Sequence, residues 1–247
     1  MILSYDSIRV RLGNKQILES VSLSTQPGKL VGIVGANGCG KSTLIKTTFG
    51  TVPKQGGTIT LDGQPVSRFA PRELASILGY VGQDSSCAFD FTVSDVVTMG
   101  LFARKDRKNG KQIVQAAMEE LGVDKLAQRN IQSLSGGERK MVFIARAIAQ
   151  GAQTLILDEP TNHLDIHHQL FVMDYLKRSG KDTLLVIHDL RLAAHYCDYL
   201  YMICDGTVYA QGTPEEVLRT ENVRHVFGVP GYAAGSEKGN ADFILFP

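Results

Sequence analysis

Two kinds of apolar pattern run along the chain. Residues 30–34, 154–157 and 183–187 are almost continuously apolar, as strands buried on both faces of a parallel sheet must be. Residues 8–12 (IRVRL) and 17–24 instead alternate apolar and polar, with Gly13-Asn14 marking a turn between them, so the N-terminal stretch reads as short strands. Residues 56–63 read as a strand ending in a turn, and 79–83 as a short strand closing the first part of the core. Helical spacing follows Lys41 and recurs over 71–78, 93–101, 113–121, 139–149 and 166–177. Thr92 is placed to cap the helix at 93, and Gly122 to end the one before it. A final hairpin is expected around Asp205-Gly206, a short helix over 214–219, and a small strand over 243–246.

These elements predict an α/β fold, doubly wound around a parallel sheet, with an N-terminal antiparallel β subdomain and an inserted helical subdomain. The expected organisation is a single domain over 1–247. Its core takes 1–83 and 151–228, the helical insertion about 84–150, and a C-terminal tail 229–247.

The chemistry starts where the apolar run at 30–34 ends. Gly35, Asn37, Gly38, Cys39, Gly40, Lys41, Ser42 and Thr43 form a glycine-rich loop leading into a helix, with the spacing G-x-x-x-x-G-K-[ST] from Gly35 to Ser42. Glycines let the backbone turn tightly and aim successive N–H groups at anionic oxygens. Lys41 is placed to reach the β- and γ-phosphates of a nucleotide, and Ser42 to ligate Mg²⁺. The other core strands also end in polar residues, at the carboxyl edge where open α/β sheets bind ligands. Asp158 and Glu159 follow the strand at 154–157, and His188 follows 183–187. Asp158 suits Mg²⁺ coordination opposite Ser42; Glu159 is placed to orient or deprotonate an attacking water, and His188 to donate to a γ-phosphate. Ser135, Gly136, Gly137 and Glu138 stand just before a helix and form either a second anion nest or simply a helix cap.

Composition narrows the picture. A formal net charge of +1 gives no support to a strongly basic nucleic-acid face. The four cysteines, Cys39, Cys87, Cys197 and Cys204, form no C-x-x-C pair, which suits reduced thiols. Cys39 stands beside Lys41 and a helix start, so it reads either as a reactive thiol or as a small residue filling the loop. His163, His167 and His168 read as surface histidines, since no second set of metal ligands accompanies them. The charge run at 104–111 reads as a solvated loop, with a contact to a membrane partner or lipid headgroups as the alternative. The N-terminus lacks the pattern of a signal peptide, and no apolar run approaches the roughly 18 residues of a membrane span.

With these motifs in place, the sequence resembles the nucleotide-binding subunits of ATP-binding cassette transporters. Residues 35–42 match the Walker A motif and Gln83 the Q-loop glutamine. Residues 134–138 match the LSGGQ signature with Glu138 in place of glutamine. Residues 155–159 match Walker B with its catalytic glutamate, 162–165 the D-loop ending in Asp165, and His188 the switch histidine. Residues 91–97, 189–194 and 211–218 further resemble the ATPases of importers for iron-siderophore, haem or cobalamin. An exporter subunit, or an importer for another substrate, is the competing reading.

The resemblance implies an ATPase that uses ATP and Mg²⁺, with Ser42, Gln83 and Asp158 around the metal. It implies a head-to-tail pair of two copies, each ATP lying between the phosphate loop of one and Ser135 to Glu138 of the other, with Asp165 at the dimer interface. It implies two integral membrane permease subunits, a substrate-binding protein and residence at the cytoplasmic face of the membrane; no nucleic acid is expected. One departure stands out. Family members usually carry an aromatic residue that stacks on adenine where this chain has Leu12, with Arg11 adjacent and Tyr5 out of position. A non-transport ATPase would need a long coiled-coil insertion or a duplicated cassette. A GTP switch would need a guanine-reading N-K-x-D, and Asn14-Lys15-Gln16-Ile17 lacks the aspartate.

Overall fold

A computed structural model describes residues 1–83, 90–104, 108–235 and 241–245. In chain order the strands are β1 (Leu3–Leu12), β2 (Lys15–Ser24), β3 (Leu30–Gly35), β4 (Gly56–Leu61), β5 (Gln64–Pro65), β6 (Leu78–Val81) and β7 (Thr154–Asp158). Then come β8 (Asp182–Val186), β9 (Tyr199–Cys204), β10 (Thr207–Gly212), β11 (Gly231–Gly235) and β12 (Ala241–Leu245). The helices are α1 (Lys41–Thr47), α2 (Pro71–Ile77), α3 (Val93–Thr98), α4 (Gly110–Glu120) and α5 (Gly136–Ala149). They continue with α6 (Ile166–Arg178), α7 (Leu190–Tyr196), α8 (Pro214–Val217) and α9 (Thr220–Phe227). The chain forms two compact units, Met1–Arg68 with Leu176–Pro247, and Phe69–Tyr175.

In the first unit the alternating stretches pair as expected. β1 pairs antiparallel with β2 and with β4, so Leu3, Tyr5, Ile8 and Val10 face the interior while Arg9 and Arg11 stay exposed. Burying one such face contributes roughly 25 cal/mol per Å² of apolar area removed from water. The continuous apolar run becomes β3, every residue of which is buried, flanked by β8 and β9, both parallel to it. The Asp205-Gly206 turn joins β9 and β10 antiparallel. The expected tail strand is β12, which pairs with β11; Phe246 lies outside the described residues.

The second unit pairs β6 parallel with β7, and packs α3 and α4 on α5, which also lies on β6. Thr92 caps α3 with a full capping box: its Oγ1 accepts from Asp95 N at 3.1 Å, and Asp95 Oδ2 accepts from Thr92 N at 3.0 Å. Thr92→Ala is expected to lower stability by about 1 kcal/mol, read as a lower urea midpoint at unchanged slope.

Several helix bounds differ from the sequence pattern: α5, expected from 139, opens at Gly136 on its Ser135 cap, and α8, expected over 214–219, ends at Val217. The helix expected over 93–101 ends at Thr98 and tightens into a 3₁₀ turn over Met99–Phe102. A Cβ at Gly100 would stand 2.3 Å from the backbone oxygen of Arg146, so this turn lies directly against α5. The helix expected from 113 starts at Gly110, because Asn109 adopts the left-handed conformation (φ 62°) that asparagine tolerates. Of the charge run, Arg104 donates to the Ala149 carbonyl at 3.2 Å and Lys108 is exposed; Lys105, Asp106 and Arg107 lie outside the described residues, as does Cys87. Among the described residues no helix is long and apolar enough to cross a membrane.

Candidate functional site

In the first unit, β3 delivers the chain into a glycine-rich loop, and α1 begins at Lys41. Gly38 and Gly40 take φ of 78° and 103°, which side-chain-bearing residues avoid. A Cβ at Gly40 would lie 2.5 Å from Leu18 Cδ2, so β2 backs the loop closely. Lys41 is buried, and its Nζ donates to the carbonyls of Gly35 at 2.8 Å and Ala36 at 2.9 Å. The ammonium therefore sits inside the loop, with Asn37 and Gly38 exposed and Ser42 and Thr43 half-buried behind it. The register of β3 with β8, Ile33 opposite Val186, brings half-buried His188 level with Gly35. Cys39 Sγ lies 3.8 Å from Lys41 Nζ. Cys39, Cys197 and Cys204 are free thiols; burial pushes Cys197 up to about 12.

In the second unit, β7 carries Asp158, fully buried at its end, into Glu159, which is 6% exposed. Glu159 adopts a left-handed φ of 53°, a conformation that costs an L-residue of this kind about 1–2 kcal/mol. Its Oε2 accepts from Gln83 Nε2 at 2.8 Å and from Asn162 Nδ2. Three segments thus meet at one carboxylate: the residues after β6, the strand end and the D-loop. With its amide nitrogen on Glu159, Gln83 keeps its amide oxygen as an acceptor.

Ser135 is the N-cap of α5. Its Oγ accepts from Glu138 N at 3.2 Å, while Glu138 Oε2 accepts from Ser135 N and Oγ, each at 2.9 Å. These bonds, the Ser135 backbone N–H first, hold the Glu138 carboxyl below the usual carboxylate range. The glutamate that replaces the signature glutamine therefore closes a capping box, the cap reading of this motif, with Ser135 and Gly136 exposed beside it. A Cβ at Gly137 would lie 3.4 Å from Leu164 Cδ2, which places the signature against the D-loop.

Asp165, His167 and His168 cluster at the start of α6 with ligand atoms within 4.8 Å of one another, Asp165 and His167 being exposed. His168 Nδ1 closes on Asp165 Oδ2 at 2.8 Å as an (i, i+3) pair, and its backbone N–H, the larger effect, helps hold the Asp165 carboxyl low.

At the N-terminal departure, Leu12 is 45% exposed. Tyr5 is buried and shares a hydrogen bond with Thr48 Oγ1 at 2.5 Å, so its ring belongs to the core. Arg11 Nε donates to Gln16 Oε1 at 3.2 Å. Sequence reasoning missed the amide of Asn162 on Glu159, and it missed Lys140 altogether. The only signal for Lys140 is a lysine on the apolar side of the helix after the signature.

The ABC transporter family model matches residues 18–162. The cobalamin import ATP-binding protein BtuD of Halobacterium salinarum is 39% identical over 234 residues, covering 92% of this chain and 59% of that protein. The chain thus spans little more than half the length of that relative. The iron(3+)-hydroxamate import ATP-binding protein FhuC of Bacillus subtilis is 34% identical over 252 residues, covering 98% of this chain and 94% of its own. A solved structure described as a metal-chelate type ABC transporter in an inward-facing conformation superposes with a TM-score of 0.82 at 25% identity, covering 99% of this chain and 97% of that one. The chain belongs to the ABC transporter family.

Proposed function

We propose that this chain is the ATP-hydrolysing subunit of an ABC importer for a metal chelate of the iron-siderophore, haem or cobalamin class. The observation that carries the ATPase reading is the buried Lys41 ammonium held within a glycine loop, on a chain that also buries Asp158 and Glu159 at a strand end. The importer reading rests on the cobalamin and ferric hydroxamate relatives, one of which matches over almost its whole length.

In this reading Gly35, Asn37, Gly38, Cys39, Gly40, Lys41, Ser42 and Thr43 wrap the nucleotide phosphates, with backbone N–H groups and the Lys41 ammonium as donors. The hydroxyl of Ser42, the carboxylate of Asp158 and the amide oxygen of Gln83 are hard oxygen donors of the kind Mg²⁺ takes. A Mg²⁺ ion, if these residues held one, would supply charge neutralisation at the phosphates. Glu159 orients and deprotonates the attacking water, its carboxylate held by Gln83 and Asn162. His188 donates to the γ-phosphate. Ser135, Gly136, Gly137 and Glu138 complete the site of a second copy paired head to tail, and Asp165 lies at that interface. ATP closes the pair and hydrolysis reopens it, a population shift driven by differential contacts. Two permease subunits and a substrate-binding protein complete the assembly, with this chain peripheral at the cytoplasmic face.

The test is uptake of labelled haem, a ferric siderophore or cobalamin by the assembly reconstituted in vesicles with ATP inside. One of these should accumulate with the parent chain and not with Glu159→Gln. ATP-dependent extrusion in place of uptake would transfer the assignment to an exporter.

A further inference from the structure

Lys140 is a buried cation that the proposed mechanism does not use. It lies on α5, five residues after the Ser135 cap, and is 3% exposed. Its ammonium donates to the carbonyl of Gly82 at 2.9 Å and to that of Gln83 at 3.2 Å. A buried ammonium stays charged where oxygen acceptors surround it, and bonds from a charged donor are about twice as strong as neutral ones. The Gln83 segment is therefore gripped twice. Lys140 fixes its backbone, and its side chain reaches Glu159 at 2.8 Å. Together these contacts form a continuous series from the signature helix through Lys140 and Gln83 to the Glu159 carboxylate.

We infer that Lys140 is a positioning residue for hydrolysis, fixing the Gln83 backbone so that its amide holds Glu159 and tying the placement of that carboxylate to the start of α5. The inference rests on the proposed roles of Gln83 and Glu159. An apolar replacement leaves the Gly82 and Gln83 carbonyls without their charged donor and frees the Gln83 segment to drift.

The test is a double-mutant cycle in the full chain, reading steady-state ATPase at limiting and saturating ATP. Lys140→Met is expected to lower kcat about tenfold, the lower end of what loss of a supporting contact to a reacting group costs. KM for ATP should rise no further than it does in Gln83→Ala, because Lys140 reaches nucleotide binding only through the Gln83 amide proposed for Mg²⁺. Gln83→Ala should also lower kcat, and the double variant should fall no further than the lower single one. A purely structural role predicts instead additive losses, and additivity would overturn the assignment, as would a parental kcat in Lys140→Met. If that variant fails to fold, Lys140→Gln, which keeps a donor on a shorter chain, carries the same cycle and the same criteria. If Gln83→Ala alone leaves turnover intact, the roles proposed for Gln83 and Glu159 fall together with this one. If Gln83→Ala lowers turnover and the losses add, only Lys140 is wrongly assigned.

Discussion

Glu159→Gln is expected to lower ATP turnover by about two to four orders of magnitude, the range a positioned general base contributes, while nucleotide affinity stays near the parent. The substitution is nearly isosteric, and an amide oxygen still accepts from Gln83 and Asn162, the two groups that hold the carboxylate. What disappears is the ability to take a proton from water. Because the side chain keeps its place and the phosphate loop is unchanged, binding and hydrolysis separate: the variant should load ATP and stop. With hydrolysis blocked, the head-to-tail pair should persist, so size-exclusion chromatography with ATP and Mg²⁺ should show a dimer that the parent forms only transiently. A variant that binds ATP and remains monomeric would count against the paired arrangement; one that turns over at the parental rate would remove Glu159 from catalysis.

The left-handed backbone at Glu159 bears on the same point. A non-glycine φ of 53° directly after β7 persists because buried Asp158 and the two amide donors fix the residues around it. In that conformation the carboxylate accepts from Gln83 at 2.8 Å. Glycine at this position would relieve the strain and lose the carboxylate, so stability and turnover are expected to move in opposite directions there.

What was legible in the sequence was whatever local chemistry decides. Continuous apolar runs gave β3, β7 and β8, since only strands covered on both faces tolerate them. Glycine spacing located the loop between β3 and α1, whereas the helix expected from 139 already opens at Gly136, where the capping box of Ser135 and Glu138 starts α5. What was not legible depends on residues far apart in the chain. The shortening of α3 follows from Gly100 meeting the backbone of Arg146, a constraint that propensity at 93–101 cannot contain. The burial of Tyr5 depends on Thr48, and the grip of Lys140 depends on carbonyls almost sixty residues earlier. Even the spacing that identified Glu159 carried no hint of its backbone conformation. Sequence thus named the candidate side chains more readily than the distant contacts that hold them.

Lys41→Ala is expected to abolish measurable nucleotide binding at ATP concentrations that saturate the parent, and with it all hydrolysis. A hydrogen bond from a charged donor is worth about 1.5–3 kcal/mol, and a lysine reaching two phosphates makes more than one, so a loss of at least a hundredfold in affinity follows. The loop suffers as well. The ammonium donates to the carbonyls of Gly35 and Ala36, so it braces the loop from inside. Without it the loop loses both its internal brace and its only lysine, and the backbone N–H groups must hold the phosphates of a polyanion without a counter-charge. Arginine should restore little: its planar fork is too broad for a niche in which β2 already presses on Gly40. Equilibrium binding of a fluorescent ATP analogue checks this, with the thermal midpoint of the variant showing that the fold survives. Parental affinity in a folded Lys41→Ala variant would mean that the nucleotide lies elsewhere, and the function proposed for this loop would fall with it.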